Sequence, residues 1–164
     1  MSTQTSNLSV LRPALPVFTG LLYLLGVGGG VYNFVQPLEG AKGFGLIASS
    51  NGSPHTTAFQ TAYIRVHGIR NIGTGIVNIS LLLYLQFSDL CRTSPIAAAA
   101  VRKCIGIGLT LGTVIALGDA WILKQFAASP GVDSEAASLG AAKGTGHALT
   151  SGVILGLGLC WLYI

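Results

Sequence analysis

Charged residues are scarce in this sequence: Asp, Glu, Lys and Arg make up 9% of its 164 residues, whereas 51% are hydrophobic. That balance leaves too little polar surface to solvate an ordinary water-soluble domain. The rival interpretation is a very apolar soluble helical bundle, but several uncharged runs near the spanning length are unusual in water. The composition therefore favours one compact membrane domain.

Several signatures of chemistry are also missing. The three cysteines, Cys91, Cys104 and Cys160, lie far apart and form no CxxC pair, which argues against a redox relay or a metal site. Neither HExxH nor an Asp-rich metal box occurs, and no Ser-His-Asp order is present. The basic residues are scattered along the chain and form no stripe. We therefore expect no metal, no cofactor and no nucleic-acid partner.

Four apolar runs dominate what is present, and each has about the ~20 residues that cross ~30 Å of hydrocarbon. They predict an all-α fold, a four-helix transmembrane bundle in a lipid bilayer, with a flexible Ser/Thr/Asn-rich tail over residues 1–13. The Gly- and Pro-rich connection 36–60 predicts an irregular loop that covers one end. The predicted spans are 14–35, 61–87, 101–123 and 144–164.

Glycines at small-xxx-small spacing predict that the helices pack closely, and such faces could also join copies of the chain into a homo-oligomer. Trp121, Trp161 and Tyr163 are expected to face lipid or the membrane interface. The glycine pairs are Gly26 with Gly30, Gly108 with Gly112, and Gly152 with Gly156.

Polar residues collect toward one membrane face if consecutive helices alternate in direction. This arrangement predicts a polar pocket at that face, and ionisable groups inside spans are functional candidates. Its candidate residues are Tyr32, Asn33, His67, Arg70, Asn71, Thr74, Asp119 and His147.

The second span carries the most polar residues, because His67, Asn71 and Thr74 follow helical spacing and Arg70 borders the same face. Arg70 lies about nine residues into the predicted span, roughly 13 Å along the axis, which is deep for an unpaired cation. Asp119 is the only acidic residue in a predicted span. Charge compensation therefore makes it the expected partner of Arg70, His67 or His147.

Two interpretations of Asp119 remain open. It could form a structural ion pair that holds the second helix to the third, or it could act as a general base or nucleophile. His147 alone could be an interfacial residue, but beside Asp119 it is a plausible acid/base partner. The sequence thus predicts a catalytic group of Asp119, His147 and Arg70. The predicted substrate-binding residues are Asn71, His67, Tyr32, Asn33 and Thr74.

Short motifs in three of the spans and in the first loop resemble a known family. They are Gly68 to Gly75, Gly118-Asp119-Ala120, Gly146-His147-Ala148 and Gly43-Phe44-Gly45-Leu46. The chain resembles, from about Leu15 to Leu162, the DUF4267 family of small four-helix membrane proteins, which is DoxX-like and common in fungi. In that pattern an acidic residue often follows the Arg, whereas Asn71 does so here.

The resemblance implies a multi-pass protein of the endoplasmic reticulum that acts in fungal secondary metabolism. Some similar proteins are assigned epoxide hydrolase or cyclase roles, which implies acid/base opening of an epoxide on a hydrophobic, polyketide-like small molecule. Asp119 would deprotonate water or an internal hydroxyl, while His147 or Arg70 would stabilise or protonate the alkoxide.

Three alternatives stay open at this point. The chain could be a non-catalytic scaffold or accessory protein with a structural Arg70–Asp119 pair. It could be a membrane cyclase or isomerase that works through a carbocation, with a neutral Asp119 as the acid. A small transporter is disfavoured, because the stretches Leu81–Leu85 and Val153–Leu162 are mostly apolar and would close a polar pathway.

Overall fold

The computed structural model describes residues 5–47 and 54–163, and within these ranges the chain is helical and has no strand. Four of its helices are long and apolar enough to cross a membrane, so the predicted all-α class with four spans is confirmed. The helices are α1 (Thr5–Val35), α2 (Pro37–Phe44), α3 (Pro54–Phe87), α4 (Asp89–Thr93), α5 (Pro95–Ala127) and α6 (Ser134–Tyr163). The candidate spans are Pro13–Val35, Gln60–Phe87, Pro95–Ala127 and Ser134–Tyr163.

The first helix begins earlier than the sequence predicts. Residues 5–13, which composition assigns to a flexible tail, belong to α1, while residues 1–4 lie outside the described residues. Ser, Thr and Asn lower helix propensity without forbidding a helix, and Leu8, Val10 and Leu11 continue the apolar character of the span.

Capping residues mark the starts of two other helices, and both helices begin earlier than predicted. Helix α5 begins at Pro95, and the Ser94 hydroxyl accepts a hydrogen bond from the Ala97 N–H at 3.3 Å. Helix α6 follows Asp133, whose Oδ1 accepts a hydrogen bond from the Ala136 N–H at 2.8 Å. The predicted starts at 101 and 144 are therefore several residues too late. The start at 101 leaves out the apolar residues 96–100 that follow Ser94, and the start at 144 leaves out the weakly apolar first turns of α6.

The connection between the first two spans is more ordered than its Gly and Pro content predicts. It contains helix α2, which ends at Gly45 with φ 115°, and the Gly45 N–H bonds to the carbonyl oxygens of Ala41 and Lys42. Such a left-handed C-terminal residue favours glycine. Part of the predicted loop, residues 48–53, lies outside the described residues.

The four long helices form two closely packed pairs, α1 with α3 and α5 with α6, whereas α3 with α5 and α1 with α6 contact one another only sparsely. Glycines set the closest approaches. A methyl group on Gly68 would lie 2.7 Å from the carbonyl oxygen of Gly30, and one on Gly158 would lie 3.1 Å from that of Gly106. The helices therefore follow one another around a ring in the order α1, α3, α5, α6.

Most of the glycines that sequence spacing selects face away from these contacts. Gly30 packs closely, but a methyl group on Gly26, Gly112, Gly152 or Gly156 would meet no other element within 4 Å in the described part of the chain. Four-residue spacing identifies a shared helix face but does not determine whether that face meets another helix. A methyl group on Gly108 would make only an ordinary contact, 3.7 Å from Oδ1 of Asn78 on α3. The prediction of close packing through these pairs is therefore wrong, except at Gly30.

We expect Gly68→Ala to destabilise the protein by about 1–3 kcal/mol, because the new methyl group would meet backbone atoms of α1 that cannot rotate away. Thermal unfolding in detergent would measure this loss. Gly73→Ala on the same helix is the matched control, since a methyl group there meets no neighbour within 4 Å among the described residues. Equal stability of the two variants would contradict this account of the α1–α3 contact.

An apolar cluster closes the end of the ring that lies opposite α2. Its buried members are Leu15, Ile105, Leu109 and Trp161, and the Trp161 indole Nε1–H donates to the buried Thr19 hydroxyl at 2.9 Å. The expected lipid-facing position of Trp161 is therefore wrong, because only 3% of this residue is exposed. The sequence shows that Trp161 lies near the end of a span, but it does not show that Thr19 offers an acceptor.

Candidate functional site

A cavity of about 340 Å³ lies beneath α2, between α1, α3 and α5. Four of its lining residues carry amide, imidazole, guanidinium or carboxylate groups, and most of the others are apolar. Residues that line it are Asn33, Ala41, Phe44, Leu46, Tyr63, Ile64, His67, Arg70, Ile115, Gly118, Asp119 and Ile122.

Antiparallel threading brings these polar groups together. Asn33 lies near the end of α1, and Asp119 lies near the end of α5. His67 and Arg70 are three residues apart on α3, which places them on one helix face. The structure thus brings Arg70 and Asp119 to one cavity, with Asn33 and His67 beside them.

Arg70 and His67 are joined by a hydrogen bond of 3.0 Å between the guanidinium Nη2 and the imidazole Nδ1. A guanidinium can only donate, so Nδ1 of His67 is the acceptor in this bond. The remaining proton of a neutral imidazole then lies on Nε2. In this arrangement His67 can offer an N–H donor, and Arg70 keeps further N–H groups, for an oxygen in the cavity.

Asp119 is half-buried and lies within electrostatic range of both His67 and His147. Among the described residues, however, Arg70 and Asp119 form no ion pair within 4.0 Å, and the guanidinium instead donates to His67. The carboxylate is therefore not held to α3 by Arg70. It is placed where a molecule in the cavity can meet it.

An aromatic ring from α2 lies close to both histidines. The Phe44 ring centroid lies 4.5 Å from that of His147, with a tilt of 55°, and 6.0 Å from that of His67, edge to face. In the described part of the chain, His147 does not line the cavity. It lies beside the Phe44 ring, which does line the cavity.

A protein-family model described as Domain of unknown function (DUF4267) matches residues 23–161 of the chain. The chain belongs to the DUF4267 family. A search of curated proteins and a search of solved structures gave no match. The DUF4267 region includes all four of Asn33, His67, Arg70 and Asp119, so the whole polar lining of the cavity lies inside the family domain.

The other predicted binding residues of this DUF4267 protein lie in different places. Asn71 and Thr74 line a smaller cavity of about 210 Å³ that shares Arg70 and Ile115 with the first. Tyr32 is 46% exposed and lines neither cavity in the described part of the chain. The structure thus places the α3 residues along one polar face and sets Tyr32 apart from them.

Sequence reasoning did not identify the apolar residues that shape the cavity. Phe44 belongs to the Gly43–Leu46 motif of the family pattern, which pointed to this segment. The motif did not show that the Phe44 ring faces the cavity. Ile115 and Ile122 lie four and three residues from Asp119 on α5, a spacing that would place them near the carboxylate.

No cluster of three or more His, Cys, Asp or Glu side chains that could hold a metal ion occurs within residues 5–47 and 54–163 of the DUF4267 chain. The residues that line the cavity can perform proton transfer, hydrogen bonding and, through the Asp119 carboxylate, nucleophilic attack. A carboxylate, an imidazole and a guanidinium supply one acceptor and several donors.

Proposed function

We propose that this DUF4267 protein is a membrane-embedded enzyme that opens an epoxide on a hydrophobic substrate by acid/base chemistry. The proposal rests on one observation: a carboxylate and a hydrogen-bonded guanidinium–imidazole pair line the same largely apolar cavity. Asp119 approaches from α5, and the hydrogen-bonded Arg70–His67 pair approaches from α3. An apolar cavity with a few convergent polar groups suits a neutral apolar molecule that carries one reactive oxygen.

In the hydrolytic reaction, the Asp119 carboxylate accepts a proton from a water molecule as the water oxygen bonds to an epoxide carbon. The carbon–oxygen bond of the ring breaks, and its electron pair stays on the former epoxide oxygen. N–H groups of Arg70 and His67 stabilise this alkoxide. The alkoxide then takes up the proton that Asp119 accepted, which restores the carboxylate and releases a diol.

In the cyclising reaction, a hydroxyl group of the substrate replaces water as the nucleophile. Asp119 accepts the hydroxyl proton, the hydroxyl oxygen bonds to the epoxide carbon, and the new alkoxide is protonated as before. The same cavity serves both reactions, because only the source of the attacking oxygen differs. Resemblance to fungal natural-product proteins adds a polyketide-like substrate and an endoplasmic reticulum membrane to the proposal.

Turnover by the purified protein in lipid nanodiscs tests this proposal. We expect 1,2-epoxydecane to give its diol and 4,5-epoxydecan-1-ol to give a tetrahydrofuran, both detected by mass spectrometry. In ¹⁸O-labelled water, a single turnover of 1,2-epoxydecane should give a diol carrying ¹⁸O, because water attacks directly.

Two results would count against parts of the proposal. Unlabelled diol from a single turnover would show that a carboxylate oxygen attacks first, which makes Asp119 a nucleophile and not a base. Failure to convert either epoxide faster than nanodiscs without protein would contradict the epoxide reaction and favour a scaffold.

A further inference from the structure

The membrane-face side of the cavity is covered by α2 and the residues that follow it. Ala41, Phe44 and Leu46 all line the cavity. Gly45 is held against the other helix pair, since a methyl group on it would lie 2.8 Å from Cβ of Lys143 on α6 and 3.3 Å from Cδ2 of Leu123 on α5. The segment thus bridges from α1 to the α5–α6 pair and leaves little direct access from the membrane face.

The opposite end is closed as well. The apolar cluster around Ile105, Leu109 and Trp161 fills the ring there, and the hydrogen bond from Trp161 to Thr19 ties α6 to α1. Space continues from the cavity only as far as the smaller one at Asn71 and Thr74, and the apolar cluster closes the bundle beyond it in the described structure. Access therefore has to come from the side.

On that side, the helix pairs differ in how tightly they are closed. Helices α1 and α3 meet at glycine backbones and so do α5 and α6, whereas α3 and α5 contact one another sparsely. Cavity-lining residues from both sides of the α3–α5 gap are exposed on the outer surface: Tyr63 is 69% exposed, Ile115 is 53% exposed and Ile122 is 51% exposed. The cavity therefore opens between α3 and α5, toward the surroundings of the bundle.

Arg70 lies at this opening and is itself exposed. It follows Tyr63 by seven residues, so it lies about 10 Å deeper along α3 than that aromatic side chain. Tyrosine is typical of the membrane interface, and a cation that far below it is costly beside hydrocarbon. A substrate that brings an oxygen to Arg70 and continues as hydrocarbon would offset that cost.

We propose that the α3–α5 gap is a lateral portal and that the substrate is a long-chain amphiphile. Its oxygen-bearing end lies between Arg70 and Asp119, and its apolar tail passes out between Ile115, Ile122 and Tyr63 into the bilayer. The cavity volume of about 340 Å³ is near the lower limit for ligand pockets, which suits the reactive end alone. The chemistry at that end rests on the proposed function, whereas the portal does not.

The portal is tested by binding, without turnover. A long-chain alcohol with a diazirine in its alkyl chain, a few carbons from the hydroxyl group, is photo-crosslinked to the protein in nanodiscs, and the labelled peptides are identified by mass spectrometry. We expect labelling at Tyr63, Ile115 or Ile122 that excess 1,2-epoxyhexadecane suppresses. Ile115→Trp should reduce this labelling about tenfold, equivalent to about 1.4 kcal/mol of binding. Leu117→Trp is the matched control, because Leu117 on the same helix is 51% exposed and lines neither cavity in the described structure.

Chain length gives a second measurement. With substrate expressed as a mole fraction of lipid, kcat/KM should be nearly constant from 1,2-epoxydecane to 1,2-epoxyoctadecane, because the added carbons stay in the bilayer. A sharp loss with length, or labelling confined to residues 37–46 of the α2 side, would overturn the portal while leaving epoxide opening intact. Portal labelling without any turnover would instead contradict the proposed reaction and leave the portal standing.

Discussion

Replacing Asp119 with Asn is expected to lower kcat for epoxide opening by about 10²–10⁴-fold, the usual contribution of a positioned general base. The amide has nearly the same shape as the carboxylate but cannot accept the proton of the attacking water. Because Asp119 forms no ion pair with Arg70 among the described residues, we expect the variant to fold. Turnover in nanodiscs and thermal unfolding in detergent would measure the two effects separately.

Asp133→Asn is the matched control for this substitution. Asp133 caps α6 outside the cavity, and Asn is an equally good N-cap, so turnover and stability should both stay unchanged. Full activity of Asp119→Asn would show that another group is the base. An inactive variant that also unfolds would support a structural role for Asp119 and the scaffold interpretation.

Substituting Arg70 by Met should lower kcat by about 10²–10³-fold, the effect of removing one preorganised donor to a developing oxyanion. Met keeps much of the apolar length of the side chain but offers no N–H group. The change also removes the donor to Nδ1 of His67, so the imidazole loses the bond that fixes its Nε2–H tautomer. Arg70→Lys should restore part of the rate, because an ammonium still donates but cannot reproduce the planar fork.

Steady-state kinetics with Arg65→Met as the control would separate this effect from a general loss of membrane anchoring. Arg65 is exposed on the same helix and lines neither cavity among the described residues. A rise in KM with unchanged kcat in Arg70→Met would mean that Arg70 binds the substrate without stabilising the alkoxide. Equal losses in both Arg variants would contradict a specific role for Arg70.

Hydropathy was sufficient to predict the four spans, because apolar length is what a bilayer selects. The predicted start of α6 was late because Asp133 begins that helix through a cap hydrogen bond ahead of the strongly apolar residues. The predicted start of α5 was late because it left out the apolar residues 96–100 that follow the Ser94 cap. Charge compensation predicted a partner for Arg70, and Asp119 and Arg70 do line one cavity, but in the described structure Arg70 bonds to His67 and forms no ion pair with Asp119. Their catalytic roles remain predictions.

The remaining features depend on contacts that spacing does not encode. Phe44 lies in a segment whose Gly and Pro content predicts a loop, and only the fold shows its ring beside His147. The sequence likewise gives no reason to prefer Gly68 or Gly158 over the other glycines, because many occur at similar spacing. Which helix faces meet depends on how all four long helices pack around the ring.

The bond between Trp161 and Thr19 joins residues 142 positions apart and belongs to the cluster that closes the ring. During synthesis the first hairpin can pair as soon as α3 has left the ribosome, but Thr19 must wait until α6 has emerged as well. Completion of the chamber therefore follows the synthesis of α6, and a nascent chain that stops before α6 leaves the hydroxyl of Thr19 without its indole donor.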